Sequence, residues 1–317
     1  MNLKSFLKYV EIQTKVASVM PFILGTLYAF YRFNSFKAST FIIMFISLIT
    51  FDMTTTAINN YIDFKKANKK EGYGYEEHNA LVKDGIKEST AVAIIIILLA
   101  ISICFGIILT IKTNTVVLLI GVLSFFIGIF YTFGPVPISR MPLGEAFSGF
   151  FMGFIILFLA VYIQVFDKNI VSIAYANNIL SLSLNIIEIL LIFIVSIPTI
   201  GGIANIMLAN NICDVEDDIV NNRFTLPYYI GRKNALNLFA FLYYIGYAAI
   251  IISVILKVLP AASLLVIITL MPVYKNIKIF SNNPVKGETF VFAVKNLLII
   301  NLSHIFILTV TIMYKIF

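Results

Sequence analysis

The chain has 317 residues, of which 60% are hydrophobic and 12% are charged, with a mean hydropathy of +0.96. Soluble domains carry about 25% charged and roughly 45–50% apolar residues, so this composition excludes a soluble protein and predicts several membrane spans. The formal net charge of +7 does not indicate nucleic-acid binding, because loop lysines that follow membrane topology account for it.

The N-terminal stretch MNLKSFLKYVEIQTK predicts an amphipathic helix on the membrane surface, since Leu3, Leu7 and Val10 recur at helical spacing. Nine apolar segments follow, each long enough for a hydrocarbon core of roughly 30 Å. These predicted spans are 14–32, 38–62, 89–111, 115–133, 143–165, 186–211, 234–256, 259–275 and 289–314.

Most lysines and arginines fall in alternate loops, which predicts a cytoplasmic N-terminus. The sequence therefore predicts an all-α, polytopic protein of the cell membrane. We expect residues 1–317 to form a single domain, with nine transmembrane helices around a central cavity that opens to the cytoplasmic face.

Two predicted helix ends on that face share the pattern Asn-Asn-x-x-Asp, which indicates an internal duplication. NNYID ends the second span at 59–63, and NNICDVEDD ends the sixth at 210–218. Helical spacing aligns amides and carboxylates on one face of each end. The aligned residues are Asn59 and Asp63 in the first segment, and Asn210, Asp214 and Asp218, flanked by Asn211 and Asp217, in the second.

Carboxylates clustered this closely repel one another, so a positive partner must offset them. Mg²⁺ fits, because it takes one or two carboxylates and fills its other positions with waters and substrate phosphates. Acidic helix ends at a membrane surface therefore predict a Mg²⁺ site for a diphosphate whose tail is a lipid.

At these residues the sequence resembles the UbiA superfamily of intramembrane prenyltransferases, and within it the branch that prenylates 1,4-dihydroxy-2-naphthoate in menaquinone synthesis. The two acidic segments resemble the two aspartate-rich motifs of the family. Supporting segments are HNALVKDG (78–85), YTFGPVP (131–137), LGE (143–145) and TLPYYIGRKNA (225–235).

The resemblance implies nine helices, Mg²⁺ as cofactor, and transfer of a polyprenyl group from polyprenyl diphosphate to the dihydroxynaphthoate, with loss of CO₂. The chain departs from the family pattern at several places, among them Ala67 and Lys69, where a later aspartate would stand. Asn60 stands where relatives carry an aspartate, Cys213 replaces a common arginine, and Glu11 stands where an arginine is usual, with Lys15 one turn later. An aspartate restored at Asn60 is therefore expected to tighten Mg²⁺ binding.

The resemblance also implies roles for individual residues. Asp63, Asp214, Asp218 and Asn59 are expected to act in catalysis, and the same residues with Asn210 to hold the metal. Tyr131 is expected to stabilise a carbocation or to be a membrane-border tyrosine, and Glu145 to orient the aromatic acceptor or to cap a helix dipole. The full set of expected substrate-binding residues is Lys15, Asn60, Lys65, Lys66, Lys83, Tyr131, Arg140, Glu145, Asn211, Asp217 and Arg223.

The charged loop 63–88 is expected to close over the site as a lid when substrate binds. Two other functions fit the sequence less well. A UbiA-type enzyme could use another acceptor, such as 4-hydroxybenzoate or a chlorophyll or haem precursor. A transporter would suit the spans and the repeat, but its binding site would lie at the membrane midplane, whereas these acids crowd at one face.

Overall fold

The computed structural model describes residues 1–66, 80–131 and 138–316, and most of them are helical. The α-helices are α1 (Leu3–Tyr9), α2 (Val16–Phe33), α3 (Ala38–Lys66), α4 (Ala80–Lys83), α5 (Glu88–Lys112), α6 (Thr115–Phe130), α7 (Gly144–Ser148), α8 (Ile156–Val165), α9 (Ile186–Cys213), α10 (Val215–Val220), α11 (Leu226–Ile255), α12 (Leu270–Asn282) and α13 (Val291–Ile316). Three 3₁₀ segments, Ile12–Lys15, Ile138–Arg140 and Ala261–Thr269, and a π-helical segment, Gly149–Ile155, lie between them. Two antiparallel strands, β1 (Val171–Ala176) and β2 (Ile179–Leu184), complete the fold.

Eight helices in the described ranges are long and apolar enough to cross a membrane. They are Ile12–Phe33, Ala38–Lys65, Glu88–Lys112, Gly144–Val165, Ile186–Cys213, Leu226–Ile255, Ala261–Asn282 and Val291–Lys315. Each matches a predicted span, which confirms the all-α membrane fold. The remaining predicted span, 115–133, corresponds to α6, which has only 16 residues in the described part, so the count of nine is not confirmed.

The chain folds as two compact units. The first comprises Met1–Val19 and Ile42–Pro137. In it, the Tyr9 hydroxyl donates to the carbonyl of Ala57 at 3.0 Å, and both residues belong to a small buried cluster. The hydroxyls of Ser47 and Ser102 each donate to the other's carbonyl at 2.9 Å, which joins α3 to α5 through backbone acceptors.

The second unit comprises Met20–Phe41 and Ile138–Phe317. Its core lies between α9, α11, α12 and α13, around Phe239, Tyr243 and Phe280. A Cβ built at Gly153 would lie 2.6 Å from the Cα of Ile200, so only glycine permits this close approach of two spans. Close helix packing of this kind holds α9, and with it the second acidic segment, in place.

Candidate active site

The second acidic segment lies where one transmembrane helix stops and a short helix begins. α9 ends at Cys213, Asp214 has φ −102° and ψ 9°, and α10 starts at Val215. The amide of Asp218 donates to the carbonyl of Asp214 at 2.8 Å, so the two residues lie one turn apart. The amide of Asp214 donates in turn to the carbonyl of Asn210, so the three residues keep the predicted one-turn spacing although α9 ends and α10 begins here.

The two carboxylates of this turn each have a cationic partner. Oδ1 of Asp218 lies 3.3 Å from Nε of Arg223, and the Asp218 side chain is only 6% exposed. Asp214 forms an ion pair with Lys286 and has a side chain that is 16% exposed. Burial raises the pKa of the Asp218 carboxyl, since a charge away from water is poorly solvated. Any cation placed beside Asp218 therefore stabilises its ionised form.

A second buried contact lies beside this turn in sequence. Nδ2 of Asn211 donates to Oε1 of Glu145 at 2.8 Å, and both side chains are buried. Oε2 of Glu145 and Oδ1 of Asn211 have no hydrogen-bond partner among the residues that the structure describes. The pair therefore presents two buried acceptor oxygens, and leaving such atoms unmatched costs about 1–3 kcal/mol each. A ligand with hydroxyl donors would satisfy them.

The other predicted members of the second segment are Asn210 and Asp217, of which Asn210 is half-buried. The Asn210 carbonyl accepts from the amide of Asp214 at 3.1 Å, which closes the end of α9. Asp217 is exposed, and its carbonyl accepts from the side chain of Asn221. Within this segment Asn211 and Asp218 are buried, Asn210 and Asp214 are half-buried, and Asp217 is exposed.

Two partners of these carboxylates were missed by the sequence reasoning. Lys286 pairs with Asp214 across 72 residues of sequence, and the Thr225 hydroxyl donates to Oδ2 of Asp218 at 3.5 Å. Thr225 is the first residue of TLPYYIGRKNA, and the resemblance of that segment to the family was the signal that could have pointed to it. For Lys286 the only signal was a basic residue in a loop predicted on the cytoplasmic side.

The first acidic segment is engaged with the N-terminal residues of its own unit. Nδ2 of Asn60 donates to the carbonyl of Tyr9 at 2.9 Å and to Oε1 of Glu11 at 3.2 Å. This amide therefore acts as a donor that ties α3 to the turn after α1. An aspartate here would lose that donor and face the Glu11 carboxylate, so the structure gives Asn60 a fold-stabilising contact that the sequence did not reveal.

Lys15 lies in a buried ion pair. Its Nζ lies 2.7 Å from Oδ1 of Asp52, 3.1 Å from the Asp52 carbonyl and 2.5 Å from the Thr56 hydroxyl. The second carboxylate oxygen of Asp52 accepts from Ser18 at 2.5 Å. Three acceptors match the three N–H donors of an ammonium group. A diphosphate would have to displace them before it could bind Lys15.

Lys65 is also paired within its unit. Its Nζ lies 2.5 Å from Oε1 of Glu88, which accepts from the Tyr61 hydroxyl at 2.7 Å as well. Asp63, two residues earlier, is exposed, and Asn59 is half-buried. Asp63 belongs to the first unit and Asp214 to the second, so the convergence of the two acidic segments on one cavity stays a prediction.

The remaining predicted residues lie at helix ends and turns. Lys83 is exposed at the end of α4, Arg140 is half-buried in a 3₁₀ turn, and Tyr131 is half-buried just after α6. The side chain of Lys66 and residues 67–79 and 132–137 lie outside the described part of the chain. Residues 67–79 of the predicted lid (63–88), the start of HNALVKDG and most of YTFGPVP fall there.

The donor set of the second segment suits Mg²⁺. Among the described residues, no group of three or more histidine, cysteine, aspartate or glutamate side chains is placed to bind a metal. Asp214 and Asp218 nevertheless supply two carboxylates one turn apart, and Mg²⁺ characteristically takes one or two carboxylates together with waters and substrate phosphates. The residues therefore fit a metal that arrives with its diphosphate.

Comparison with known proteins agrees with these features. The profile of the UbiA prenyltransferase family matches residues 18–299. The chain is 30% identical over 235 residues to the 1,4-dihydroxy-2-naphthoate octaprenyltransferase of Bacillus subtilis, covering 74% of this chain and 68% of that protein.

Two solved UbiA homologues share the fold. A structure from Archaeoglobus fulgidus has a TM-score of 0.66 at 14% identity, covering 97% of this chain and 99% of the homologue. The apo structure from Aeropyrum pernix K1 has a TM-score of 0.64 at 20% identity, covering 93% and 98%. A further Archaeoglobus fulgidus structure, bound to DMAPP and Mg²⁺, has a TM-score of 0.61 at 12% identity over 96% and 99%. From the family match along most of its length, the chain belongs to the UbiA prenyltransferase family of multi-pass membrane proteins.

Proposed function

We propose that this protein transfers a polyprenyl group from polyprenyl diphosphate to 1,4-dihydroxy-2-naphthoate, with loss of CO₂ and diphosphate, to give demethylmenaquinol. The observation that carries the proposal is the enclosed turn of Asp214 and Asp218, in a chain 30% identical to an octaprenyltransferase that is named for this acceptor. We place the enzyme in the cell membrane with its N-terminus in the cytoplasm, as the distribution of lysine and arginine favours.

The diphosphate end of the substrate would bind at the second acidic segment. Asp214 and Asp218, with Asp63 and the amides of Asn59 and Asn210, are the residues that would hold Mg²⁺. The bound ion supplies positive charge beside the leaving diphosphate. Lys286 and Arg223, which pair with the two aspartates, are cations at the same turn that can contact diphosphate oxygens.

The reaction balances without a catalytic oxidant or base. The bond between the prenyl carbon and the diphosphate oxygen breaks, and its electrons leave with the diphosphate. The ring carbon that bears the carboxylate forms the new carbon–carbon bond. The bond to CO₂ then breaks, and its electron pair restores the aromatic ring. The protein must therefore hold two substrates in line and exclude water from the cation.

Glu145 and Asn211 are suited to the acceptor. Their two unpartnered oxygens are hydrogen-bond acceptors, so they favour the hydroxyl groups of the acceptor, whose carboxylate would have to lie away from them. A hydroxyl that donates to the Glu145 carboxylate places more electron density on the ring, which speeds attack on a cation. This arrangement uses Glu145 to orient the acceptor rather than to remove a proton.

An assay with purified protein tests the proposal. The protein is reconstituted in nanodiscs and incubated with Mg²⁺, prenyl diphosphates of several lengths and a panel of acceptors. Mass spectrometry then identifies the products. We expect prenylated product from dihydroxynaphthoate with one CO₂ released per transfer. Transfer to 4-hydroxybenzoate without CO₂ release, and none to dihydroxynaphthoate, would assign the protein to the other acceptor class.

A further inference from the structure

The connection between α8 and α9 is a β-hairpin, called here the ribbon (Val171–Leu184). Its register pairs Val171 with Leu184 and ends with Ala176 opposite Ile179. The two turn residues, Asn177 and Asn178, both have positive φ, at 51° and 62°. A two-residue turn of this kind matches the twist of the flanking strands and fixes the register.

The register divides the ribbon into two chemically different faces. Side chains alternate along each strand, and directly paired residues share a face. The first face, the apolar face, carries Val171, Ile173, Tyr175, Leu180, Leu182 and Leu184. The second, the small-residue face, carries Ser172, Ala174, Ala176, Ile179, Ser181 and Ser183. The ribbon is therefore amphipathic. Ile179, next to the turn, is the one large apolar residue on the small-residue face.

On the apolar face, Val171 is buried, Ile173 is half-buried and the other four residues are exposed. Val171 is 8% exposed, and its carbonyl accepts from the hydroxyl of Tyr162, a buried residue near the end of α8. Further out, Tyr175 is 71% exposed, Leu180 70% and Leu182 60%. The buried Val171 therefore fixes one corner of the apolar face against the membrane-spanning helices, whereas its paired residue Leu184 is 49% exposed.

The position of the ribbon places it at the membrane border. It joins Val165, the last residue of α8, to Ile186, the first residue of α9. α9 has 28 residues and is therefore about 42 Å long. Asp214 follows its other end, so the ribbon lies on the opposite side of the membrane from the acidic turn.

Charged residues flank the ribbon but none lies within it. Lys37 pairs with Asp167 at 2.9 Å, and Arg32 pairs with Glu188 at 2.9 Å. Between Asn169 and Ile187 the sequence contains no aspartate, glutamate, lysine or arginine. The uncharged ribbon therefore begins next to two ion pairs, which are suited to the level of the lipid headgroups.

We propose that the ribbon lies flat on the bilayer, with its apolar face at the boundary between headgroups and acyl chains. The apolar residues Ile186, Ile187 and Leu190, which follow at the start of the membrane-spanning helix α9, are exposed as well. A tyrosine near the tip suits this interface, where its ring and hydroxyl meet different environments. The small-residue face with its serines then faces water, so the ribbon is a surface anchor for α8 and α9.

The chain contains no tryptophan, which permits a direct test. Leu182→Trp and Ser181→Trp place a single reporter on neighbouring residues of opposite faces. Each variant is reconstituted in nanodiscs made with a tryptophan-free scaffold protein, so that both sides of the membrane are accessible, with and without brominated phospholipids. Fluorescence quenching by the brominated lipids reports contact with acyl chains, and quenching by iodide reports contact with water. Tyr175→Trp, an aromatic replacement on the apolar face, serves as a second reporter if Leu182→Trp fails to fold.

We expect brominated lipids to quench Leu182→Trp several-fold more than Ser181→Trp, and iodide to show the reverse order. Equal iodide quenching of both variants would show that the ribbon stands in water and would overturn the proposal. Protection of Leu182→Trp from iodide and brominated lipid alike would also overturn it, because a second copy of the chain would then cover the apolar face.

Discussion

Asn211 and Glu145 are joined by a buried 2.8 Å hydrogen bond that spans 66 residues of sequence. The bond leaves one acceptor oxygen on each side chain without a partner in the described structure. Asn211 immediately precedes the acidic turn, so the pair connects the start of the fifth predicted span to the segment expected to bind diphosphate. Under the function proposed above, this contact is where the acceptor would be recognised.

Glu145→Gln is expected to weaken the use of the acceptor selectively. A hydrogen bond to a charged group contributes about 1.5–3 kcal/mol, so kcat/KM for dihydroxynaphthoate should fall by about 10- to 100-fold. The KM for prenyl diphosphate should not change. Steady-state kinetics with each substrate varied in turn measures both values.

An acceptor that lacks one hydroxyl group provides the control for this prediction. The wild-type protein should discriminate against it, and Glu145→Gln should discriminate less, since the lost contact is shared by the residue and the hydroxyl. Equal discrimination by both proteins would show that Glu145 acts through the fold rather than on the acceptor.

Asp214→Asn and Asp218→Asn are each expected to reduce prenyl transfer by roughly 10²–10³-fold, the loss typical when one preorganised electrostatic group is removed. The membrane-inserted fold should persist, because each change keeps side-chain size. Glu216→Gln, an exposed acid between them, is the matched control and should retain activity. Near-wild-type turnover of either aspartate variant at limiting Mg²⁺ would contradict the metal assignment.

Lys15→Met is expected to destabilise the protein by about 3–5 kcal/mol, because it leaves the carboxylate of Asp52 without its cation. Replacing both partners, with Lys15→Met and Asp52→Leu together, should recover much of this loss. Equilibrium unfolding in detergent, followed by circular dichroism, compares the three variants with the wild type. If the double variant were as unstable as Lys15→Met alone, the pair would not be the source of the effect.

Asn60→Asp is expected to destabilise the first unit rather than to strengthen a metal site. The amide donates to Tyr9 and Glu11, and a carboxylate would leave the Tyr9 carbonyl unmatched and repel Glu11, at a cost of about 1–3 kcal/mol. Calorimetry of Mg²⁺ into ligand-free protein, together with the unfolding midpoint, tests this. Tighter Mg²⁺ binding with unchanged stability would restore the expectation drawn from the sequence.

The contact between α1 and Asp84 should weaken in acid. Hydrogen bonding from Ser5, followed by the ion pair with Lys8, lowers the pKa of the Asp84 carboxyl below its ordinary value of 3.8. A lowered folded-state pKa means that this stabilisation is present above pH 3.8 and is lost as the pH falls through the lowered pKa.

Hydrogen–deuterium exchange of the α1 amides checks this by comparing the wild type with Asp84→Asn at each pH. The two proteins should differ at neutral pH and converge in acid. A difference that persists below the lowered pKa would assign the effect to packing instead of charge.

The sequence alone determined the class of fold and the position of the membrane spans. A span depends on local composition, since about 20 consecutive apolar residues are needed to cross the hydrocarbon core whatever else surrounds them. The acidic segments were visible for the same reason, because several carboxylates at the end of an apolar helix are costly unless they bind something. The likeness of NNICDVEDD and TLPYYIGRKNA to one family then indicated the chemistry.

Only the tertiary structure decided which partner each polar residue has. Lys15 meets Asp52, Asn60 meets Tyr9, and Glu145 meets Asn211 through contacts distant in sequence. Such pairs form because burial penalises any donor or acceptor that lacks a partner, and packing decides which partner lies within reach. Local composition does not determine which residues meet in the folded chain. The sequence therefore identified the polar residues, but it did not distinguish those that stabilise the fold from those that face a substrate.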